Sequence, residues 1–223
     1  MLTLVTGAGG FIGHHVAGLL SRQGAPLRLL VRRTSRRDHL RDLPAEFVEG
    51  DLRDIASLRR AVKGCRRLFH IAALYTFQAS EADALTETNV QGTRNLLQAA
   101  MDEGLERVVY TSSVGALAAG REGAVSDERT PVTLEGVVGR YKRSKFLAQE
   151  AALEFARRGL PVVNVNPAGP VGPFDVKPTP TGKLIVDFLR GRIPAYVNTG
   201  LNLIAVEDVA EGHLRAAERG RAG

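Results

Sequence analysis

One cysteine, no tryptophan and few aromatic side chains set the first limits on this chain of 223 residues. The lone thiol, Cys65, leaves no intrachain disulfide and points to a reducing compartment. Aromatic residues make up only 5% of the chain, so platforms for stacking bases are scarce. Lysine is scarce too: of 30 basic residues five are lysine and 25 arginine. The arginines are scattered through the expected helices, so the formal charge of +6 argues for no nucleic-acid partner. Arginine richness fits coding bias or a hot growth environment equally. No uncharged apolar run reaches the roughly 18 residues of a membrane span. The opening MLTLVTGAGGFIG lacks the basic leader and small-residue cleavage site of a signal peptide. A soluble, cytoplasmic protein is expected. His70 and His213 stand apart from carboxylates and cysteines, so no metal site is expected. His14 and His15 are expected at a surface or edge, and Cys65 as a small buried hydrophobe.

What is present is an alternation of short β-branched runs with longer helix-period segments. Strands are expected at residues 2–6, 27–31, 46–49, 68–71, 107–111 and 162–166. Helices are expected at residues 11–23, 55–62, 82–103 and 139–158. Gly24 and Gly104 stop two of these helices, and Asp54 caps another. Strands apolar on both faces, each followed by a helix, predict an α/β fold with a doubly wound parallel sheet. From Pro167 onward prolines and glycines crowd the chain, leading to a helix near 183–190, a strand near 202–205 and a last helix at 206–219. The expected organisation is a dinucleotide-binding domain over residues 1–166 and a small substrate-facing lobe, continuous with it, over 167–223.

Thr6-Gly7-Ala8-Gly9-Gly10-Phe11-Ile12-Gly13 has glycines at G-x-x-G-x-x-G spacing. With 24 glycines in the chain, roughly 0.3 such triplets arise by chance. The context adds weight, because the loop ends the first strand and opens the first helix. There the backbone must turn sharply and bring N–H groups to a pyrophosphate. A side chain at Gly7 or Gly10 is expected to block that approach, and Gly13 to let helix and strand pack. Phe11 and Ile12 complete the cofactor-binding loop.

No carboxylate follows the second strand, where one would bind the ribose hydroxyls of NAD. Arg32-Arg33-Thr34-Ser35-Arg36-Arg37 stands there instead, and arginine suits the 2′-phosphate of NADP. A solvated basic turn is the plainer alternative. NADP is therefore the favoured cofactor, with NAD also possible. Asp51-Leu52, after the third strand, is expected near the adenine, where Asp51 would accept from its amino group; a loop aspartate beside a helix cap is the alternative.

Tyr141-Lys142-Arg143-Ser144-Lys145 carries a Tyr-x-x-x-Lys spacing, of which about 0.1 arise by chance. Four residues at about 100° each put Lys145 about 40° from Tyr141, one turn along the same face. An ammonium about 5 Å from the phenol at an effective dielectric of 20 contributes roughly 3 kcal/mol, or about two pK units. That would bring Tyr141 into the range of a general acid/base. Thr111-Ser112-Ser113 ends the fifth strand on the side where open α/β sheets bind ligands.

Together these residues resemble the short-chain dehydrogenase/reductase superfamily, in its extended branch of nucleotide-sugar epimerases and dihydroflavonol reductases. The matches run in order through Thr6 to Gly13, Asp51-Leu52, His70-Ile71-Ala72-Ala73 and Asn89-Val90-Gln91-Gly92-Thr93. They continue through Thr111-Ser112-Ser113, the Tyr141 to Lys145 segment, and Asn166-Pro167 on to Gly172-Pro173. The tail, with Lys177-Pro178-Thr179-Pro180-Thr181-Gly182 and Thr199-Gly200-Leu201-Asn202, is similar to the hopanoid-associated sugar epimerase group. The resemblance implies a catalytic set of Ser113, Tyr141 and Lys145, with Lys145 on the nicotinamide ribose. It also implies a supporting role for Asn89, backbone at Ala72 and Ala73 close to the cofactor, and Pro167 along the nicotinamide.

The implied activity is hydride transfer at a secondary alcohol or ketone carbon of a small-molecule substrate, as a reductase or as a sugar epimerase. Extended members carry sequence beyond the helix that ends at Arg219, so part of the lobe over the substrate is expected to be absent; cofactor binding is expected to survive that loss better than turnover. A non-catalytic NADP-sensing or protein-binding module on the same fold is the rival. A homodimer remains an open option. Leu74, Tyr75 and Phe174 are placed either in a substrate pocket or in the core.

Overall fold

The computed structural model describes residues 1–76, 78–117, 125–176 and 178–223. Six strands, β1 (Thr3–Thr6), β2 (Leu27–Val31), β3 (Ala45–Glu49), β4 (Arg67–His70), β5 (Arg107–Thr111) and β6 (Val162–Val165), form one sheet. Their order is β3-β2-β1-β4-β5-β6, and every neighbouring pair is parallel. Successive side chains of a strand face opposite ways, and here both faces are apolar. Leu4, Leu68, Val108 and Tyr110 point into one core, while Val5, Phe69 and Val109 point into the other. Both faces therefore need helical cover.

The first core is closed by α2 (Ile55–Val62), α4 (Gly92–Glu103) and α5 (Arg140–Arg157) through Leu58, Ala61, Leu96, Leu97, Ala148 and Ala152. The second is closed by α1 (Phe11–Arg22) and α7 (Val206–Arg219) through Val16, Ala17, Leu20, Ala210 and Leu214. The last helix, grouped by sequence with the lobe, thus packs on α1 and on β5 and β6. Its His213 lies within the fold, where Nε2 meets Thr111 Oγ1 at 2.8 Å and Nδ1 donates to the Val209 carbonyl at 2.7 Å. What remains beyond β6 is a second, two-stranded parallel sheet of β7 (Gly169–Val171) and β8 (Leu203–Ala205), with α6 (Pro180–Leu189) between them.

Several local expectations shift by a turn or less. Asp54 caps α2 as foreseen, its Oδ1 accepting from the Ala56 N–H at 3.0 Å. The helix expected near 183 begins at Pro180, because the Thr179 hydroxyl caps it by accepting from the Gly182 N–H at 3.1 Å. Proline suits such a first turn, where its missing N–H costs nothing. The segment expected as one helix over 82–103 begins as α3 (Ala82–Leu85), widens into a π-turn at Thr86–Gln91 and resumes as α4. Strand β7 was not foreseen, since three residues among prolines give no period to read. Cys65 is buried, and burial pushes its thiol up, as expected of a packing residue.

The turn from β1 into α1 is the tightest place in the fold. Gly7 has φ +77°, and a Cβ there would meet the Ala72 nitrogen at 2.6 Å. A Cβ at Gly13 would fall 2.0 Å from the Gly7 carbonyl oxygen. Backbone atoms cannot swing aside as a side-chain end can. Gly13→Ala is therefore expected to cost about 1–3 kcal/mol of stability, read as a lower urea midpoint; an unchanged midpoint would contradict the contact.

Candidate active site

All six strands of the main sheet run the same way, so their C-terminal ends share one edge. Strand order reverses between β1 and β4, which opens a crevice at that edge. The glycine loop follows β1, Ala72 and Ala73 follow β4, Ser112 and Ser113 follow β5, and Pro167 follows β6. The geometry thus collects the expected loops at one place.

The α1 N-terminus starts at Gly10, which supplies no side-chain cap, and its first turn holds no acidic residue. Its leading N–H groups are suited to an anion. A Cβ at Gly10 would meet only the Gly7 oxygen, at 3.3 Å, so Gly10 faces the open side. Gly7 differs from expectation. Its side-chain position is filled by the backbone of Ile71 and Ala72, so glycine is required there by packing and positive φ, not by a ligand's approach. Phe11 stacks edge-on against His15, and Ile12 packs into the second core.

Arg32 is exposed after β2, and its charge helps hold Asp51 below the ordinary carboxylate range. Arg36 and Arg37 are engaged by Asp38 at 3.8 Å and Glu49 at 2.6 Å. Asp51 is clasped by Arg53, which approaches its two oxygens at 2.9 and 3.0 Å; this hydrogen bonding is the main cause of its lowered pKa. Leu52 turns into the core, where a Cβ on Gly92 would touch it at 2.7 Å.

The loop after β4 is pinned by Asn89. Its Oδ1 accepts from the Leu74 N–H at 2.7 Å, and its Nδ2 donates to the Leu74 carbonyl and to Ser144 Oγ, both at 3.0 Å. Asn89 lies in the π-turn, whose extra residue lets this helix present a buried amide to two other segments. Tyr75 extends from that loop and stacks on Tyr141 with ring centroids 4.4 Å apart. Tyr75 also lines a cleft of about 490 Å³ with Thr76, Gln78, Pro178, Pro180 and Lys183. Phe174 lies elsewhere, beside His14 and His15 in a groove of about 250 Å³. Lys177 falls outside the described residues.

Ser113 is half-buried, its Oγ accepting from the Gly115 N–H at 3.1 Å. Asn166 Nδ2 donates to the Ser113 carbonyl at 3.0 Å, and Pro167 accepts from the Val114 N–H at 3.0 Å, so the β5 and β6 loops are stitched together. Gly115 packs on Lys142, where its Cβ would stand 3.1 Å from that side chain, which brings the serine loop against the first turn of α5. Ser112 Oγ is buried with no hydrogen-bond partner among the described residues.

Lys145 departs most from expectation. Its ammonium is buried and donates to the Thr111 carbonyl at 2.6 Å and to the Tyr110 hydroxyl at 3.2 Å, 4.8 Å above that ring's centroid. Burial draws its pKa down to about 7. Tyr141 is not acidified: burial, with the neighbouring Tyr75 phenol second, pushes it up. The shared helix face is real, but the lysine arm runs inward to β5 and the phenol's own desolvation dominates. Tyr110 carried no sequence signal, since it reads as one more apolar strand residue.

A fully parallel sheet with a glycine turn, a serine loop and a Tyr-x-x-x-Lys helix gathered at one edge is a Rossmann-like fold of the epimerase/dehydratase kind. The chain belongs to the NAD dependent epimerase/dehydratase family, whose model matches residues 3–223. It is 49% identical over 97% of its length to a candidate dihydroflavonol 4-reductase of Synechocystis sp., of which it spans 63%. A dTDP-glucose 4,6-dehydratase from Streptomyces venezuelae, solved with NAD, superposes with TM-score 0.87 at 29% identity, over 100% of this chain and 74% of that one. A UDP-glucose 4-epimerase from Thermus thermophilus, also solved with NAD, superposes with TM-score 0.82 at 26% identity, over 97% and 74%. Among the described residues no helix is long and apolar enough to cross a membrane, and no cluster of three histidine, cysteine or acidic side chains could hold a metal.

Lys145 releases its proton near pH 7 in the folded chain but near 10.5 once unfolded. Between these values the unfolded chain binds the extra proton, so stability rises with pH. Above about 9 the buried thiol of Cys65 works the other way, because only its unfolded form ionises readily. The urea midpoint is expected to climb from about pH 7 to pH 9, and Lys145→Met to flatten the climb. A level wild-type midpoint would contradict the burial.

Proposed function

We propose that the chain is the dinucleotide-binding, proton-donating part of an NADP-linked ketone reductase of this family. The observation that carries this reading is a helix N-terminus free of side-chain caps at the same sheet edge as Ser113, Tyr141 and Lys145. The residues fit a dinucleotide. Gly10 leaves room for a diphosphate, and the backbone N–H groups of Phe11, Ile12 and Gly13 supply donors to it. Ala72 and Ala73 border its path, and Pro167 flanks the far end. Arg32 offers a guanidinium to a 2′-phosphate where NAD-binding relatives of this fold use a carboxylate. Asp51 and Leu52 edge the adenine side, Asp51 through the oxygen lone pairs that Arg53 leaves open. The bound cofactor supplies the hydride.

The chain's own residues hold the substrate oxygen and move a proton. The Ser113 hydroxyl donates to the oxygen of the reacting carbon, and Tyr141 donates the proton that the developing alkoxide requires. Burial keeps the Tyr141 phenol protonated, the form from which it donates in the direction of reduction. Lys145 lies beneath, where it can meet a ribose hydroxyl on approach. The cleft at Tyr75 and Thr76 offers an aromatic wall to the body of the substrate, as a dihydroflavonol-like ketone or a nucleotide sugar would require. Epimerisation of a nucleotide sugar is the second reading, supported by the likeness to the two sugar-nucleotide enzymes.

Tyr141→Phe is expected to lower turnover of a ketone panel with NADPH by about 10²–10⁴-fold while leaving cofactor affinity near wild type; equal turnover would remove the proton donor. Binding without turnover on any substrate would favour the sensor module. Arg32→Ala is expected to weaken NADPH by about tenfold, one lost charge-assisted contact, and to leave NADH unchanged. A wild-type preference for NADH in fluorescence titration would refute the role of Arg32.

A further inference from the structure

His70 closes β4 and has no part in the proposed chemistry, yet both ring nitrogens are paired. Nδ1 lies 2.9 Å from Thr6 Oγ1, and Nε2 lies 2.9 Å from Thr93 Oγ1. The Thr6 oxygen already accepts from the Ile71 and Ala72 N–H groups, each at 3.2 Å. With both lone pairs engaged, its own hydrogen is left for His70 Nδ1, which assigns the imidazole proton to Nε2 and makes Thr93 its acceptor. Burial keeps the ring neutral, with a pKa down to about 3. The Tyr110 ring packs on His70 with centroids 5.4 Å apart, and Thr93 stands beside its hydroxyl. The Tyr110 oxygen accepts from Lys145 Nζ.

Thr6, His70, Thr93, Tyr110 and Lys145 are all buried. They come from β1, β4, α4, β5 and α5, so one polar line crosses the layer between the sheet and its helices. It begins at the glycine turn and ends on the lysine. A buried ammonium with few acceptors takes its position from whichever groups accept from it. Here these are a main-chain carbonyl, fixed by the sheet, and a phenol, which needs Thr93 and His70 to fix its orientation.

We propose that Tyr110 is a positioning residue for Lys145, and that Thr93 and His70 hold its hydroxyl in place from the glycine turn. The catalytic value of this arrangement rests on the function proposed above; the positioning itself does not. The titratable groups around the ammonium are Tyr110 from β5, His70 from β4 and Tyr141 on its own helix. Among the described residues no carboxylate forms an ion pair with it.

Tyr110→Phe removes the hydroxyl and keeps the ring beneath the ammonium, so it separates the hydrogen bond from the cation–π contact. The chain holds five lysines, which makes ¹³Cε labelling followed by NMR practical, with the Lys145 signal assigned by its loss in Lys145→Met. In the full chain without dinucleotide, Tyr110→Phe is expected to lower the Lys145 titration midpoint by about one pH unit, the effect of one lost hydrogen bond to a charged group. Thr93→Val, which leaves the phenol but frees it, is expected to lower it by a smaller step. A Lys145 midpoint unchanged in folded Tyr110→Phe, even with a reduced melting temperature, would overturn the proposal. If that variant does not fold, an unchanged midpoint in Thr93→Val overturns it instead. Failure of Tyr141→Phe to affect turnover would remove the reductase reading and leave this result untouched, so the two can be told apart.

Discussion

The carbonyl of Gly7 occupies the space that a Cβ on Gly13 would need. That contact sets the angle at which α1 leaves β1, and through it the placement of the glycine-turn end of the crevice. Ala72 presses on Gly7 from the other side, so the ends of β1 and β4 are held together at the point where strand order reverses. Three features depend on this: the turn itself, the 71–76 loop that Asn89 holds, and the stacking of that loop's Tyr75 on Tyr141. Loosening the turn would free all three together.

The other end of the crevice is organised by burial of charge. Lys145 is almost wholly enclosed, and its ammonium is held by one carbonyl and one phenol, with no counterion among the described residues. Such a group is costly to bury charged, and its depressed pKa is the measure of that cost. Tyr141 answers to the same environment with the opposite sign, because for a phenol the charged form is the deprotonated one. The pair therefore works against the simple picture of an ammonium acidifying a phenol one turn away. Burial pushes both groups toward their neutral forms.

The lobe follows different physics. Helix α6 buries none of its side chains, and β7 and β8 are three residues each. The cleft at Tyr75 gains one wall from Pro178, Pro180 and Lys183 of this segment, so the side proposed for the substrate is built on the lightly packed part of the chain. The side proposed for the nucleotide is built on the densely packed part. That division suits a family whose members are similar in cofactor binding and differ in what they act upon.

Much of the fold was legible because its signals are local. Apolar runs of strand length, Gly24 and Gly104 after helices, and Asp54 before one marked most elements within a residue or two. The Tyr141–Lys145 spacing placed both residues on one helix face without any knowledge of what packed against it. The sequence by itself determined the alternation, the glycine turn and that shared face, because periodicity and steric need are properties of neighbouring residues. Only the tertiary structure decided that Lys145 reaches Tyr110, that Asp51 is held by Arg53, that Leu52 turns inward and that Gly7 is required by Ala72. Each of these depends on which distant segment arrives at a given point, and on how much water that arrival removes. Burial of that kind belongs to the assembled fold, so no window of sequence contains it.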